Sequence, residues 1–75
     1  MSIKNEKIYI NTEFIKLDQF LKFCGIAETG GHAKEIVNEG VVKVNSEVCL
    51  MRGKKIHPGD IIEIDDYRIE VLSGN

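Results

Sequence analysis

The sequence predicts an α+β fold in which a two-helix hairpin packs on a small, mostly antiparallel sheet. Two observations lead to this prediction: apolar residues recur with helical spacing in the first half of the chain, and with a period of two after Gly40. Helices followed by a run of short strands are typical of α+β domains. A length of 75 residues suits one domain, so we expect residues 1–75 to fold as a single unit.

The first half of the chain should contain a short strand and two helices. Residues 7–10 alternate polar and apolar side chains, which predicts the strand. A first helix is indicated by apolar residues with i, i+3, i+4, i+7 spacing. These residues are Leu17, Phe20, Leu21 and Cys24. A second, shorter apolar stripe consists of Ala33, Ile36 and Val37. Gly25 directly follows the first stripe and Gly40 comes three residues after the second, and glycine commonly ends a helix.

The second half should form four strands joined by tight turns, which gives the element order β-α-α-β-β-β-β. The predicted strands are residues 41–45, 47–50, 61–64 and 67–72. The predicted turns are Asn45-Ser46, Pro58-Gly59 and Asp65-Asp66. The predicted core contains Leu17, Phe20, Leu21, Ile36, Val37, Val42 and Val44.

Charge is unevenly distributed along the chain, although the net charge is only −2. Residues 16–59 hold seven cations and five anions, a balance of +2, whereas residues 60–75 hold one cation and five anions, a balance of −4. Such asymmetry says more about a binding partner than the total charge does. The sequence therefore predicts a basic middle region and an acidic last strand.

Several functional classes are disfavoured by what the sequence lacks. No run of about 20 apolar residues is present, so no membrane span is expected. The polar N-terminus does not resemble a signal peptide. Both observations favour a cytoplasmic protein. Cys24 and Cys49 lack metal-ligand spacing and should be reduced thiols, one or both buried. His32 and His57 have no neighbouring ligand set. We therefore expect no cofactor, no metal, no small-molecule substrate and no enzymatic activity.

A cationic loop is the most informative local feature. The stretch Arg52-Gly53-Lys54-Lys55 carries three cations in four residues and is soon followed by the turn at Pro58-Gly59. A run of charges is often only a solvated loop. Its position after a predicted hairpin, with Gly53 permitting close approach, favours contact with phosphates. Lys16 and Lys43 are weaker candidates for the same role, and Lys43 shares a strand face with Asn45.

The start of the second helix is another candidate phosphate site. Gly30-Gly31 opens this helix, and the first backbone N–H groups of a helix bind phosphate when they are accessible. Two glycines could equally serve only to let the chain turn. Lys34 lies on the face opposite the apolar stripe and could follow a phosphate backbone.

The order and spacing of these residues resemble the S4 RNA-binding domain, also called the alpha-L RNA-binding motif. The resemblance is strongest over residues 16–60 and closest to small stand-alone S4-like proteins of bacteria. The residues that carry it are Leu17, Asp18, Phe20, Leu21, Ala33, Ile36, Gly40, Val42, Val44, Asn45 and Pro58-Gly59-Asp60. The resemblance implies a non-catalytic protein that binds structured RNA, either ribosomal or transfer RNA. We expect it to be a monomer and to associate with the ribosome. The implied contacts are Lys16, His32, Lys34, Lys43, Arg52, Lys54 and Lys55.

Two other functional classes remain open at this stage. One is a protein-binding adaptor that uses the acidic last strand. The other is a ubiquitin-like or sulfur-carrier β-grasp protein, which the Pro-Gly-Asp motif also fits. Such proteins act through an exposed C-terminal Gly-Gly, which residues 72–75 do not contain. The five aromatic residues fall mostly at predicted core positions, so we expect no platform for stacking of bases.

Overall fold

The computed structural model describes residues 3–74 and confirms the predicted α+β architecture, two helices packed on a mostly antiparallel sheet. Two short strands, β2 and β5, add to the predicted element order. The elements are β1 (Lys4–Ile10), β2 (Ile15–Lys16), α1 (Leu17–Phe23), α2 (Gly30–Asn38), β3 (Val42–Val44), β4 (Glu47–Val48), β5 (Lys55–Ile56), β6 (Ile61–Ile64) and β7 (Tyr67–Ser73).

Five strands form the main sheet, in the order β1-β7-β6-β3-β4, while β2 and β5 form a separate two-stranded sheet. The pairs β6–β7, β3–β6 and β3–β4 are antiparallel, as expected for strands joined by tight turns. β1 pairs in parallel with β7, because the two helices and the remaining strands separate them along the chain. β1 and β4 are therefore the edges of the main sheet.

The core lies between the two helices and one face of the main sheet. Fourteen apolar residues form it, and among the described residues no polar side chain is buried there. Phe20 of α1 is fully buried, whereas Ile36, which the sequence placed in the core, is only half-buried. Cys24 packs against the core as a free thiol, and burial raises its pKa, so the thiol stays protonated at neutral pH.

Helix ends and turns follow the predicted stop signals. Gly25 and Gly40 follow the helices with φ values of 82° and 75°, a conformation that glycine adopts without strain. Asn45 and Ser46 both have positive φ, 52° and 73°, so the β3–β4 connection is a two-residue turn of the kind that matches strand twist. β4 ends at Val48, earlier than predicted, because the chain then leaves the sheet toward the cationic loop.

Candidate nucleic-acid interface

The cationic loop is held against the amino terminus of α1 by its own backbone. α1 has no side-chain cap. Instead, the Leu17 N–H donates to the Lys54 carbonyl at 2.9 Å, and the Asp18 N–H donates to the Arg52 carbonyl at 3.0 Å. Two of the four amides that a helix start leaves without intrahelical partners are thereby satisfied. The loop backbone is consequently fixed, while the side chains of Arg52 and Lys54 remain exposed.

The small β2–β5 sheet adds a fourth cation to the loop. Its antiparallel register places Lys16 directly opposite Lys55, and Ile15 opposite Ile56, which is fully buried and anchors the loop to the core. The Lys55 ammonium lies 4.9 Å from the centroid of the Phe14 ring. Like charges directly opposite each other in a sheet are unfavourable, so an anion bound between them would stabilise this arrangement.

The four cations Lys16, Arg52, Lys54 and Lys55 are called the basic cluster below. All four side chains are exposed. Within residues 3–74, no lysine or arginine lies within 4.0 Å of a carboxylate oxygen. The cations of the basic cluster therefore form no ion pair with a described residue and are available to an anionic ligand.

The start of α2 combines a capped backbone with two bare glycines. Thr29 is the N-cap, and its hydroxyl accepts a hydrogen bond from the His32 N–H at 3.0 Å. The His32 side chain turns back, and its Nδ1 accepts from the Glu28 N–H at 3.2 Å, which leaves Nε2 as the nitrogen that carries the proton. Gly30 and Gly31 form the first two helical positions, and no hydrogen bond from their N–H groups to a described residue is present.

Asn45 has a role within the fold that the sequence reasoning did not detect. Its side-chain oxygen accepts from the Ile61 N–H at 2.9 Å, and its side-chain nitrogen donates to Asp60 Oδ1 at 3.1 Å. The other oxygen of Asp60 accepts from the His57 N–H at 2.7 Å. Asn45 thus ties the β3–β4 turn to the start of β6, and an RNA contact by its amide stays a prediction.

The predicted candidates Lys34 and Lys43 lie on different elements, Lys34 on α2, the helix that Gly30 and Gly31 open, and Lys43 on β3. Lys43 alternates with the buried Val42 and Val44, so it faces away from the core, directly opposite Glu63 on β6. Glu63 in turn lies opposite Arg68, which gives a row of alternating charges across the outer sheet face. Lys34 is exposed on α2. The described contacts do not join either lysine to the basic cluster.

The aromatic residues differ from the sequence-based expectation. Phe20 is buried, and Phe14 and Tyr67 are half-buried, but Tyr9 and Phe23 are 58% and 61% exposed. Tyr9 lies on an edge strand, and Phe23 is the last residue of α1, beyond the reach of the core. The expectation that the aromatics are mostly core-facing was therefore wrong for these two.

Neither a metal centre nor a membrane-spanning helix is found in the part of the chain that the structure describes. Its His, Cys, Asp and Glu side chains form no group of three or more that could hold a metal ion. None of its helices is long and apolar enough to cross a membrane.

Comparison with known proteins identifies the family of this chain. The S4 domain matches residues 8–72, which is most of the chain. The chain belongs to the S4 domain family. It is 43% identical over 60 residues to the probable ribosome maturation protein RlbA of Bacillus subtilis (strain 168), which covers 80% of this chain and 84% of that protein.

A solved structure shows the same fold. The solution structure of YbcJ from E. coli, which has an alfaL motif involved in RNA binding, aligns with a TM-score of 0.63 and 25% sequence identity. The alignment covers 97% of this chain and 91% of YbcJ. The two-helix hairpin on its sheet is thus the alpha-L motif fold of the S4 domain family.

Proposed function

We propose that this S4 domain protein is a non-catalytic RNA-binding protein that recognises folded RNA through the basic cluster and the start of α2. The observation that carries the proposal is the basic cluster itself. Four exposed cations without ion pairs are fixed at one position by the fold, in a chain whose net charge is −2. Contacts between cations and phosphates supply a large share of the affinity of nucleic-acid binding, and the exposed cations of this cluster can make such contacts.

The glycines of α2 support a second phosphate contact. A Cβ added at Gly30 would meet no atom within 4 Å, and one at Gly31 would meet only the Thr29 hydroxyl oxygen at 3.9 Å. Neither glycine has a left-handed φ, so neither is needed for a turn or for packing. Glycine within a helix costs roughly 0.5–1 kcal/mol relative to alanine. Because the two glycines have no side chains, a phosphate can approach the first amides of the helix. His32 and Lys34 could contact the same phosphate.

The names of the similar proteins support an RNA partner. One carries the name of a probable ribosome maturation protein, and the other has a motif involved in RNA binding. We propose that the RNA is ribosomal or transfer RNA, bound by a cytoplasmic monomer that acts on no small-molecule substrate. Because the basic cluster contacts phosphates and offers few groups for base edges, recognition should depend mainly on the shape of the folded RNA.

Salt dependence of binding tests this proposal. A labelled RNA hairpin should bind at low salt, and log K should fall with log salt at a slope of roughly −3 to −4.5 if about four or five phosphates are neutralised. Fluorescence anisotropy gives the slope, and a DNA hairpin of the same sequence is the matched control for shape, since it has B-form grooves. Absence of binding by the folded protein at low salt would contradict the proposal and favour the adaptor function. Equal affinity for the RNA and DNA hairpins would contradict recognition by shape.

A further inference from the structure

An aromatic groove opens beside the basic cluster. Its volume is about 600 Å³, and it lies where the end of β1 meets the outer side of α1. The side chains that matter for its chemistry are Tyr9, Asn11, Phe14, Lys16, Gln19 and Phe23. A shallower depression continues from it along α1 and shares Gln19 and Phe23 with it. We refer to this surface as the aromatic groove.

Two aromatic rings of this groove are largely exposed to solvent. Tyr9 of β1 is 58% exposed and Phe23 of α1 is 61% exposed, whereas Phe20 of α1 is fully buried. Beside Tyr9, the backbone of Gly74 donates to the Ile10 carbonyl at 2.7 Å, and a Cβ at Gly74 would lie 3.3 Å from that oxygen. The groove wall at Gly74 is therefore bare backbone, so Gly74 has no side chain that would cover the Tyr9 ring.

The charge of the groove selects an anionic ligand. Lys16 is its one charged lining residue among those described, and no carboxylate lines it. Two other cavities of similar size each contain two acidic residues. Glu47 and Asp60 line one of them together with Lys54 and Lys55, and Glu6 and Asp65 line the other without a cation among the described residues. In an acidic protein, a cavity lined by aromatic rings and a single lysine suits a planar ring attached to a phosphate.

The groove is continuous with the basic cluster. Lys16 belongs to both, since it lines the groove and lies opposite Lys55 in the β2–β5 sheet. Phe14 also lines the groove, and the Lys55 ammonium lies over its ring. An RNA strand whose phosphates contact the basic cluster would therefore reach the rings without leaving the protein surface.

Two side-chain amides give the groove hydrogen-bonding capacity. Asn11 and Gln19 line it, and neither side-chain amide forms a hydrogen bond with another described residue. Each amide offers both a donor and an acceptor, which is the pattern that reads the polar edge of a base. An apolar protein segment would leave these two amides without partners, which disfavours it as the occupant.

We propose that the aromatic groove binds an unpaired nucleobase of the RNA whose phosphates contact the basic cluster. The proposal rests on the proposed RNA-binding function and adds a site that reads single-stranded nucleotides next to a folded region. The base stacks on an exposed ring, Asn11 and Gln19 contact its edge, and Lys16 contacts the adjoining phosphate. Stacking of this kind is how proteins commonly hold splayed bases of RNA loops and ends.

The test compares two RNA hairpins that differ only in a short single-stranded tail, adenosines in one and abasic riboses in the other. Both tails carry the same charge, so a difference in affinity reports the bases. Wild-type protein should bind the adenosine tail more tightly. The double variant Tyr9→Leu with Phe23→Leu should lower the affinity for the adenosine tail by about 5- to 150-fold, as loss of base stacking does. Its affinity for the abasic tail should be unchanged. Tyr9→Phe, which keeps the ring, is the matched control and should retain wild-type affinity.

The possible outcomes separate this site from the proposed function. Equal binding of the two tails by wild-type protein, with the hairpin itself bound, would overturn the nucleobase site and leave the RNA-binding function intact. Failure to bind any of the RNAs would overturn both. Leucine variants that bind the adenosine tail as wild type does would show that the groove instead accepts apolar contacts, as with a protein partner, and would also overturn the proposal.

Discussion

Replacement of Phe20 by alanine is expected to lower the free energy of unfolding by about 3–5 kcal/mol. The Phe20 ring is the largest fully buried side chain, and it lies in α1 where the helix packs on the sheet and on α2. The free energy of unfolding of a domain this small should total roughly 4–11 kcal/mol, at about 0.05–0.15 kcal/mol per residue. The Phe20→Ala protein should therefore lose a large part of its stability and unfold at a much lower urea concentration than wild type, as measured by urea titration followed by circular dichroism.

Phe23→Ala is the matched control for this prediction. It removes the same ring from the same helix, but Phe23 is 61% exposed. An exposed substitution of this kind usually changes the free energy of unfolding by no more than about 0.5 kcal/mol. If the two variants unfolded at the same urea concentration, the position of the core between α1 and the sheet would be contradicted.

Simultaneous replacement of Arg52, Lys54 and Lys55 by alanine should have the largest effect on RNA binding. Each cation lost removes one phosphate contact, so the slope of log K against log salt should flatten by about two to three units. Affinity should fall for all RNAs to a similar extent, because phosphate contacts carry no sequence information. The fold should survive, since the carbonyls of Arg52 and Lys54 that hold α1 belong to the backbone.

A control variant of equal charge separates local from overall electrostatics. Three other exposed cations lie on β1 and β7, namely Lys4, Lys7 and Arg68. Their replacement by alanine removes the same number of positive charges outside the cationic loop. This variant should keep the wild-type slope. Equal weakening by both triple variants would contradict a defined basic cluster. Loss of discrimination among RNAs with an unchanged slope would show that the loop reads bases.

Much of the fold could be predicted because its signals are local. The helical stripes, the glycines after each helix and the Asn45-Ser46 turn each depend on a few neighbouring residues, and the structure confirms them. The cationic loop was also recognisable, since three cations in four residues need no tertiary information. Its attachment to α1 was not recognisable, because β2 and β5 are only two residues long and have no periodicity to detect.

The remaining parts of the site depend on tertiary contacts. The sequence placed Lys43 with Asn45 on one strand face, but Asn45 lies in the turn, where its side chain bonds to residues of the β6 segment far along the chain. The exposure of Tyr9 and Phe23 follows from an edge strand and a helix end, and hydropathy alone does not reveal either. The pairing of Lys16 with Lys55 likewise appears only when β2 and β5 are placed together.

Mapping of the RNA contact by NMR tests the central claim most directly. Titration of the isotope-labelled protein with an RNA hairpin should shift the backbone amides of the basic cluster and of the start of α2. These are the amides of Lys16, Gly30, Gly31, His32, Lys34 and residues 52–55. The Gly30 and Gly31 amides should move downfield as they donate to phosphate. Shifts confined to the outer face of the sheet, around Glu63 and Glu70, would contradict the account.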